Sequence, residues 1–441
     1  MTAQINVIGA GLAGCEAAWQ ISQMGLNVNL FEMKPNSFSP AHQKSTFSEL
    51  VCSNSLGSNV FETAPGLLKS EMREVGSLII ECADKTKVPA GGALAVDRDE
   101  FSQVITEKIK KCEKINVINK KVTDIPEGND ITVIATGPLT EGDLLNAINK
   151  IIGYDLLHFF DASAPIVTKE SIDMAHAFIA DRYGRGTSDY INCPLDKKQY
   201  ENFRDELLNA EPARVKDFEK SMIFEGCMPI EVLAKRGIDA MRFGPLKPVG
   251  LIDPSTEKEP YAIVQLRQDN SRGTFYNLVG FQTRLKWPEQ KRVFSLIPAL
   301  SKAEFLRYGV MHRNTFINSP QVLKSTYEVK TYPGLFFAGQ ISGVEGYVES
   351  ASSGMVAGIN AALRVLGKDE LVFPDDTAIG ALCRYISDES VLDFQPMKIN
   401  FGIINHEYLK IRNKKERRAE IAKRALEKTR TVCKKLKFEE K

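Results

Sequence analysis

Long apolar runs are missing from this chain of 441 residues. None approaches the roughly twenty residues that a membrane-spanning helix needs, so no membrane partner is expected. Paired cysteines are missing too. The eight cysteines, at positions 15, 52, 82, 112, 193, 227, 383 and 433, include no CxxC arrangement. That scatter suggests neither a zinc site nor a disulfide framework. No metal is expected, and a cysteine with a task acts as a thiol in a reducing cytoplasm. The start of the chain lacks the pattern of a signal peptide, because its only apolar run leads straight into a glycine turn.

A net excess of charge is also missing, with 57 Lys and Arg against 56 Asp and Glu. The balance hides an asymmetry. Residues 410–441 carry fourteen Lys and Arg against five Glu, on a body that is acidic overall. Such a tail suits a polyanionic partner. It equally suits a solvated helix, since Glu stands beside Lys or Arg at several places in it. Apolar content of 43% and charged content of 26% are those of a globular protein. The length allows two or three domains, each with its own core.

What is present begins at once. Ile5 to Glu32 reads INVIGAGLAGCEAAWQISQMGLNVNLFE. A short apolar strand enters a Gly-x-Gly-x-x-Gly turn made of Gly9, Gly11 and Gly14. A helix follows with Ala17, Ala18, Ile21 and Met24 on its inner face, and a second strand ends at the acidic Glu32. The glycines allow a tight turn, a close approach of backbone to a pyrophosphate, and close helix–strand packing. Ala10, Leu12 and Ala13 complete the turn, whose free amides and helix dipole favour phosphate. Glu32, about twenty residues on, is placed to accept adenosine ribose hydroxyls.

Further along, Asp97 is set to cap a helix reaching Lys111, and Ile115 to Ile118 reads as a strand. Ile131 to Ala135 is another strand, and it closes in Ala135, Thr136 and Gly137. From about Lys150 to Lys324 the pattern changes to short β-like runs, among them Tyr261 to Leu266 and Phe275 to Val279. A second strand–turn–helix then appears in YPGLFFAGQISGVEGYVESASSG, with Gly339 and Gly343 in its turn and a small-residue helix from Ser350. One mononucleotide motif near each end is the arrangement of FAD-binding folds of the glutathione-reductase type, and it selects FAD over a plain NAD site. The expected class is therefore α/β: a two-dinucleotide, Rossmann-like FAD-binding domain with an inserted α+β domain. The expected divisions are 1–149 and 325–409 for the FAD-binding domain, 150–324 for the insertion, and 410–441 for a basic helical tail. Where flavoproteins of this kind carry Gly-Asp, this chain has Gly339 and Gln340; the amide can still donate to phosphate or ribityl oxygens.

Two cysteines stand apart, Cys52 in LVCSNS and Cys227 in FEGCMPIE. Loop thiols near amides or cations are the ones that become nucleophilic. The other six read as small buried hydrophobes. Five stretches (GAGLAGCEAAWQ, FSELVCSNSLGS, VPAGGALAVDRDEF, FEGCMPIEVLAKRG and GLFFAGQISGVEGYVESASSG) together resemble the TrmFO family. These are bacterial folate- and FAD-dependent tRNA (uracil-5-)-methyltransferases, related to the longer GidA/MnmG flavoproteins. The resemblance runs from residue 5 to about 410.

That resemblance implies formation of 5-methyluridine in the T-loop of tRNA. The carbon would come from 5,10-methylenetetrahydrofolate, and the reducing equivalents from NADPH or NADH through FAD. Cys227 matches the thiol that adds to uracil C6 and so activates C5, a step suited to a soft nucleophile that later leaves. Cys52 matches the second functional cysteine, with general-base or flavin-protecting work. No second Gly-x-Gly-x-x-Gly is present for NADPH, which is expected to bind transiently over the flavin. Candidate phosphate contacts are Lys235, Arg236, Arg284, Lys286 and the tail, and His42 and His312 are candidate neighbours of the flavin. Open alternatives are the same chemistry on a ribosomal RNA uridine, a GidA-like FAD oxidoreductase, and a flavin-bearing RNA-binding protein. Oligomeric state is not legible.

Overall fold

The computed structural model describes residues 4–126, 130–153, 157–184, 189–213, 222–223, 228–391 and 394–439. Its centre is a five-stranded parallel sheet built from β1 (Ile5–Ile8), β2 (Val28–Glu32), β6 (Ile115–Asn119), β7 (Ile131–Ile134) and β17 (Leu335–Phe337). Across the sheet the order is β17-β7-β1-β2-β6. Every residue of β1 and β7 is buried, as expected of central parallel strands covered on both faces. The strand expected at the far end of the chain thus lies beside β7, two places from β1.

Helix α1 (Leu12–Gln23) links β1 to β2 and crosses α10 (Tyr347–Val365) with the two backbones nearly touching. A Cβ on Gly354 would stand 2.1 Å from the Ala13 carbonyl oxygen, and one on Gly358 2.6 Å from that of Ala17. α10 starts three residues earlier than the small-residue run suggests, because Tyr347, Val348 and Glu349 fit its first turn.

A three-stranded antiparallel sheet, β3 (Ser55–Ser58), β5 (Ala93–Val96) and β4 (Lys87–Val88), lies between β2 and β6 in the chain, with α2 (Ala64–Val75), α3 (Leu78–Lys85) and α4 (Arg98–Lys111). Asp97 caps α4 as expected, accepting from the N–H groups of Asp99 and Glu100. The buried Glu16 ties α1 to the start of α3 by accepting from Ser77 Oγ (2.7 Å) and the Ile79 N–H (3.0 Å).

After α5 (Gly142–Ile152), the chain builds a second core. An antiparallel sheet runs β10 (Phe178–Ile179), β11 (Tyr190–Leu195), β13 (Ala262–Gln268), β14 (Phe275–Leu278), β9 (Ile166–Thr168) and β15 (Phe305–Arg307). Helices α6 (Lys197–Asn209), α7 (Ile230–Lys235) and α8 (Trp287–Phe294) pack on it through Tyr200, Phe203, Ile230, Val293 and Phe294. A small sheet, β12 (Met222–Ile223), β8 (Leu157–Ala162) and β16 (Met311–Phe316), carries the chain out and back. Thr315 donates to the Pro138 carbonyl and Ile317 to that of Ile341, and α9 (Ser319–Val322) then leads towards β17.

The last helices are α11 (Ala378–Tyr385) and α12 (Lys414–Glu439). The basic α12 lies against α2, with Ile421, Ala422, Ala425 and Thr429 buried. Arg430 pairs with Glu74 at 2.8 Å, and Lys428 pairs with Asp376. One face of the tail is therefore a packed helix surface, and part of its positive charge is answered within the chain. Ala425→Arg should force a guanidinium into that seam and destabilise the fold by about 1–3 kcal/mol. A fall in the midpoint of thermal unfolding would report it, whereas an unchanged midpoint would make the seam dispensable. No helix among the described residues is long and apolar enough to cross a membrane.

Candidate active site

The first glycine turn opens onto a long cleft above the parallel sheet. Gly9 has φ +101°, and a Cβ there would lie 2.7 Å from the Ala135 carbonyl oxygen. A Cβ on Gly14 would overlap the Gly9 carbonyl oxygen at 1.8 Å, so this glycine serves packing inside the turn. Gly11 differs from both: nothing lies within 4 Å of its Cβ position, and it lines the cleft. No side chain caps α1. An uncapped helix N-terminus behind a bare glycine backbone is what a pyrophosphate requires.

Glu32 is buried at the end of β2. Its Oε2 accepts from the Ala10 N–H at 2.8 Å, and its Oε1 from the Lys34 N–H at 2.9 Å. Each carboxylate oxygen keeps further acceptor capacity, and the group borders the cleft, so a ribose hydroxyl can donate to it. Beyond the turn, the wall continues through Ala135, Thr136 and Gly137 to Gly339, Gln340, Tyr347 and Ser350. Gly339 has φ +85°, and its N–H is fixed by Ser353 Oγ at 2.7 Å. The cleft thus joins both nucleotide-binding turns in one trough, and its residues fit FAD, with the adenosine at Glu32 and the flavin half towards Tyr347.

At the Tyr347 end stands the Cys52 loop. The N–H groups of Cys52 and Ser53 donate to the Tyr347 hydroxyl at 2.7 and 3.2 Å. Burial raises the pKa of that hydroxyl above the ordinary tyrosine value. Arg98 donates to the Leu50 carbonyl (2.8 Å) and pairs with Asp269 (3.0 Å). Arg267, on β13, donates to Ser53 Oγ (2.7 Å) and Asn54 Oδ1 (3.1 Å). Asn54 in turn donates to the carbonyls of Val96 and Gln268. The half-buried Cys52 is therefore bracketed by two arginines, one from each core. A third, Arg307, lies close enough to Cys52 and Tyr347 to act on them electrostatically, and burial followed by the Arg98 charge lowers its pKa.

The remaining thiols behave differently. Burial pushes Cys15, Cys193 and Cys383 up to about 12 and Cys82 to about 11, which keeps them protonated and inert. Cys112 and Cys433 are only half-buried, so the reading of all six as buried hydrophobes is corrected for these two. Cys112 follows the last turn of α4 and Cys433 sits on α12, and each keeps one side open to water.

The model of the family "Glucose inhibited division protein A" (GIDA) matches residues 4–369. The methylenetetrahydrofolate–tRNA-(uracil-5-)-methyltransferase TrmFO of Acetivibrio thermocellus is 67% identical over 422 residues, 96% of this chain and 97% of that protein. The TrmFO of Listeria innocua is 56% identical over 436 residues, covering 99% and 100%. The chain belongs to the TrmFO branch of the GidA family. The solved structure of Aquifex aeolicus GidA matches with a TM-score of 0.70 at 19% identity, over 98% of this chain and 73% of that one, and confirms the fold.

Within this TrmFO-type fold, Gly9, Gly11, Leu12, Ala13, Glu32, Gly137, Gly339 and Gln340 line one cleft. Ala10, Gly14 and Gly343 are not on its wall. Ala10 holds Glu32, Gly14 closes the turn, and Gly343 makes room for the Phe394 ring, 2.4 Å from where a Cβ would stand. Gln340 donates to Glu345 at 2.8 Å, so its amide is oriented from within the chain. His42 lines the cleft, bonded to Ser39 at 2.6 Å, and burial lowers its pKa. Cys227 lies outside the described residues, as does the His312 side chain.

Among the candidate phosphate contacts, Lys235 and Arg236 are exposed, whereas Lys286 pairs with Glu211 and Arg284 leans on the buried Glu231. Sequence reasoning missed Arg98, Arg267 and Arg307. Arg98 and Tyr347 both stood inside recognised stretches, but nothing about their spacing pointed across to Cys52.

Proposed function

We infer that this chain forms 5-methyluridine in the T-loop of tRNA, using methylenetetrahydrofolate as carbon donor and NADPH or NADH as reductant. The observation that carries the reading is a cleft that joins both glycine turns and ends at the Cys52 loop, in a chain 67% identical to a TrmFO. Bound FAD would supply the reducing equivalents and hand on the one-carbon unit. The residues that would hold it are Gly9, Gly11, Leu12, Ala13, Glu32, Gly137, Gly339 and Gln340, with Ala10 orienting Glu32. We assign residues 150–324 to substrate binding.

Cys227 acts as the nucleophile. Its thiolate adds to uracil C6, which makes C5 electron-rich enough to take up the carbon, and it is expelled when the ring regains its double bond. Cys52 acts as the base that removes the C5 proton after the carbon has been attached. Tyr347, Arg98 and Arg267 hold the Cys52 backbone against the flavin end of the cleft, so the base arrives already oriented.

The purified protein should be yellow and should methylate a T-arm transcript when given methylenetetrahydrofolate and NADPH. Methylation supported by S-adenosylmethionine alone would overturn the reading. Cys227→Ala should retain FAD and lose both methylation and the covalent complex with 5-fluorouridine RNA; persistence of that complex would place the nucleophile elsewhere. Mass spectrometry of tRNA and ribosomal RNA from a deletion strain should show the loss of one tRNA methyl group. A loss confined to ribosomal RNA would move the substrate.

A further inference from the structure

The second core carries an aromatic arrangement that the chemistry above does not use. Trp287, the first residue of α8, is 59% exposed, in a chain with two tryptophans in all. Its ring stacks on Tyr308 with centroids 5.6 Å apart and planes at 15°. Tyr308 stacks on Phe305 at 5.3 Å and 13°. Phe305 then meets the buried Phe294.

The column is unlike the neighbouring core contacts. Phe281 and Phe294 meet edge to face at 74°, and Tyr200 and Tyr261 at 65°, the geometry that ring quadrupoles favour when shape alone decides. Three near-parallel rings, rooted in the core at one end, leave a flat and rigid indole face at the other. Leu306, between Phe305 and Arg307 on β15, is 56% exposed.

Its flanking charges are selective. Lys286 and Arg292 are engaged by Glu211, Glu206 and Glu289. Lys291, one turn after Trp287 and so on the same helix face, is exposed and has no carboxylate partner among the described residues. Arg307 likewise has no hydrogen-bond or ion-pair partner among them, and it directly precedes Tyr308 in the chain. Its charge acts on Cys52 and Tyr347. Lys291 and Arg307 thus lie on the two segments that build the platform, α8 and the β15 strand end.

A flat aromatic face flanked by free cations suits a single-stranded nucleic acid, whose bases stack and whose phosphates pair. We propose that the open face of Trp287 takes an unstacked base of the RNA substrate, a neighbour of the target uridine, while Lys291 and Arg307 face the adjoining phosphates. The proposal rests on the RNA-methyltransferase reading. Presenting a uridine to a thiol requires taking it out of its stack, which leaves neighbouring bases in need of a surface.

The test uses the FAD-loaded protein and a T-arm transcript. Trp287→Ala should keep its FAD content and thermal midpoint while binding the RNA about tenfold more weakly, in line with the loss of one stacked base. Trp287→Phe should recover most of the affinity. Lys291→Ala should lower the salt dependence of binding by about one phosphate contact. In a Trp19→Phe background Trp287 is the one remaining tryptophan, and saturating RNA should quench its emission. Binding of Trp287→Ala within twofold of the parent, with Trp287 emission unmoved by RNA, overturns the platform while the parent still methylates. A parent protein that neither binds nor methylates the transcript overturns the RNA reading and the platform with it.

Discussion

Gly11→Ala and Gly14→Ala should fail in opposite ways. Gly11 has φ −77° and ψ −170°, extended backbone that alanine adopts readily, and its Cβ position faces open cleft. The methyl added by Gly11→Ala would meet no protein atom, so the apoprotein should unfold at the parent's temperature. The same methyl enters the space where a pyrophosphate approaches the backbone, and FAD affinity should fall by about tenfold or more, which is at least about 1.4 kcal/mol. Gly14→Ala drives a methyl to 1.8 Å from the Gly9 carbonyl oxygen, with Ala135 Cβ behind it at 3.3 Å. Neither obstacle is the flexible end of a side chain, so the turn must open, at a cost of about 3 kcal/mol or more. That variant should be poorly soluble and colourless. Flavin absorbance and thermal melts of the two proteins separate the cases, and equal melting loss for both would mean that Gly11 also serves packing.

Arg267→Met is expected to cut turnover on the order of 10²-fold while leaving FAD in place. Arg267 lies on β13 in the second core, yet its guanidinium fixes Ser53 and Asn54 on the C-terminal side of Cys52. It is buried, and burial lowers its pKa below the usual arginine value, so its position carries a desolvation cost. The charge balance around it includes Asp269, which also pairs with Arg98. Methionine replaces the volume but leaves Asn54 Oδ1 without this donor and Asp269 with one arginine fewer. Breaking a buried charged network of this kind costs about 3 kcal/mol. The kinetic loss is separate: a loop displaced by about 1 Å costs roughly 10² in rate. Single-turnover methylation should fall, whereas the FAD spectrum and RNA affinity should hold. Arg267→Lys, with one charge but no fork, should lie between. A normal rate in Arg267→Met would show that Tyr347 and Arg98 hold the loop alone.

The features legible in the sequence were those carried by short spacings. Gly11 and Glu32 mark their turn because a pyrophosphate and a ribose would meet them there, and Gly9 and Gly14 because the local geometry admits few other residues. Asp97 marks the start of α4 for the same reason. The late motif at Gly339 identified a second turn, but its place beside β7 depended on a chain return that no local pattern encodes. The anchors of the Cys52 loop were illegible because Arg267 and Asp269 belong to a strand and turn of the other core, where QLRQD reads as an ordinary strand end. The packed face of α12 was obscured by its charge, since Ile421, Ala422, Ala425 and Thr429 are scattered among lysines and arginines. The Trp287 column needed two segments brought together. In the sequence, WPEQ and FLRY look like unrelated surface turns.

The joining of β1 to a sheet completed by β17, with α1 locked against α10, has a consequence in time. The first turn and most of the cleft wall leave the ribosome early, but its far end comes from Gly339, Gln340, Tyr347 and Ser350, after most of the chain has been made. At about 5–20 residues per second, the interval is on the order of tens of seconds. Throughout it the Rossmann half has no α10 to cover α1, and Cys52 lacks Tyr347. Cofactor capture is therefore a late event of synthesis, and the loop thiol reaches its working position only once a flavin can be held beside it.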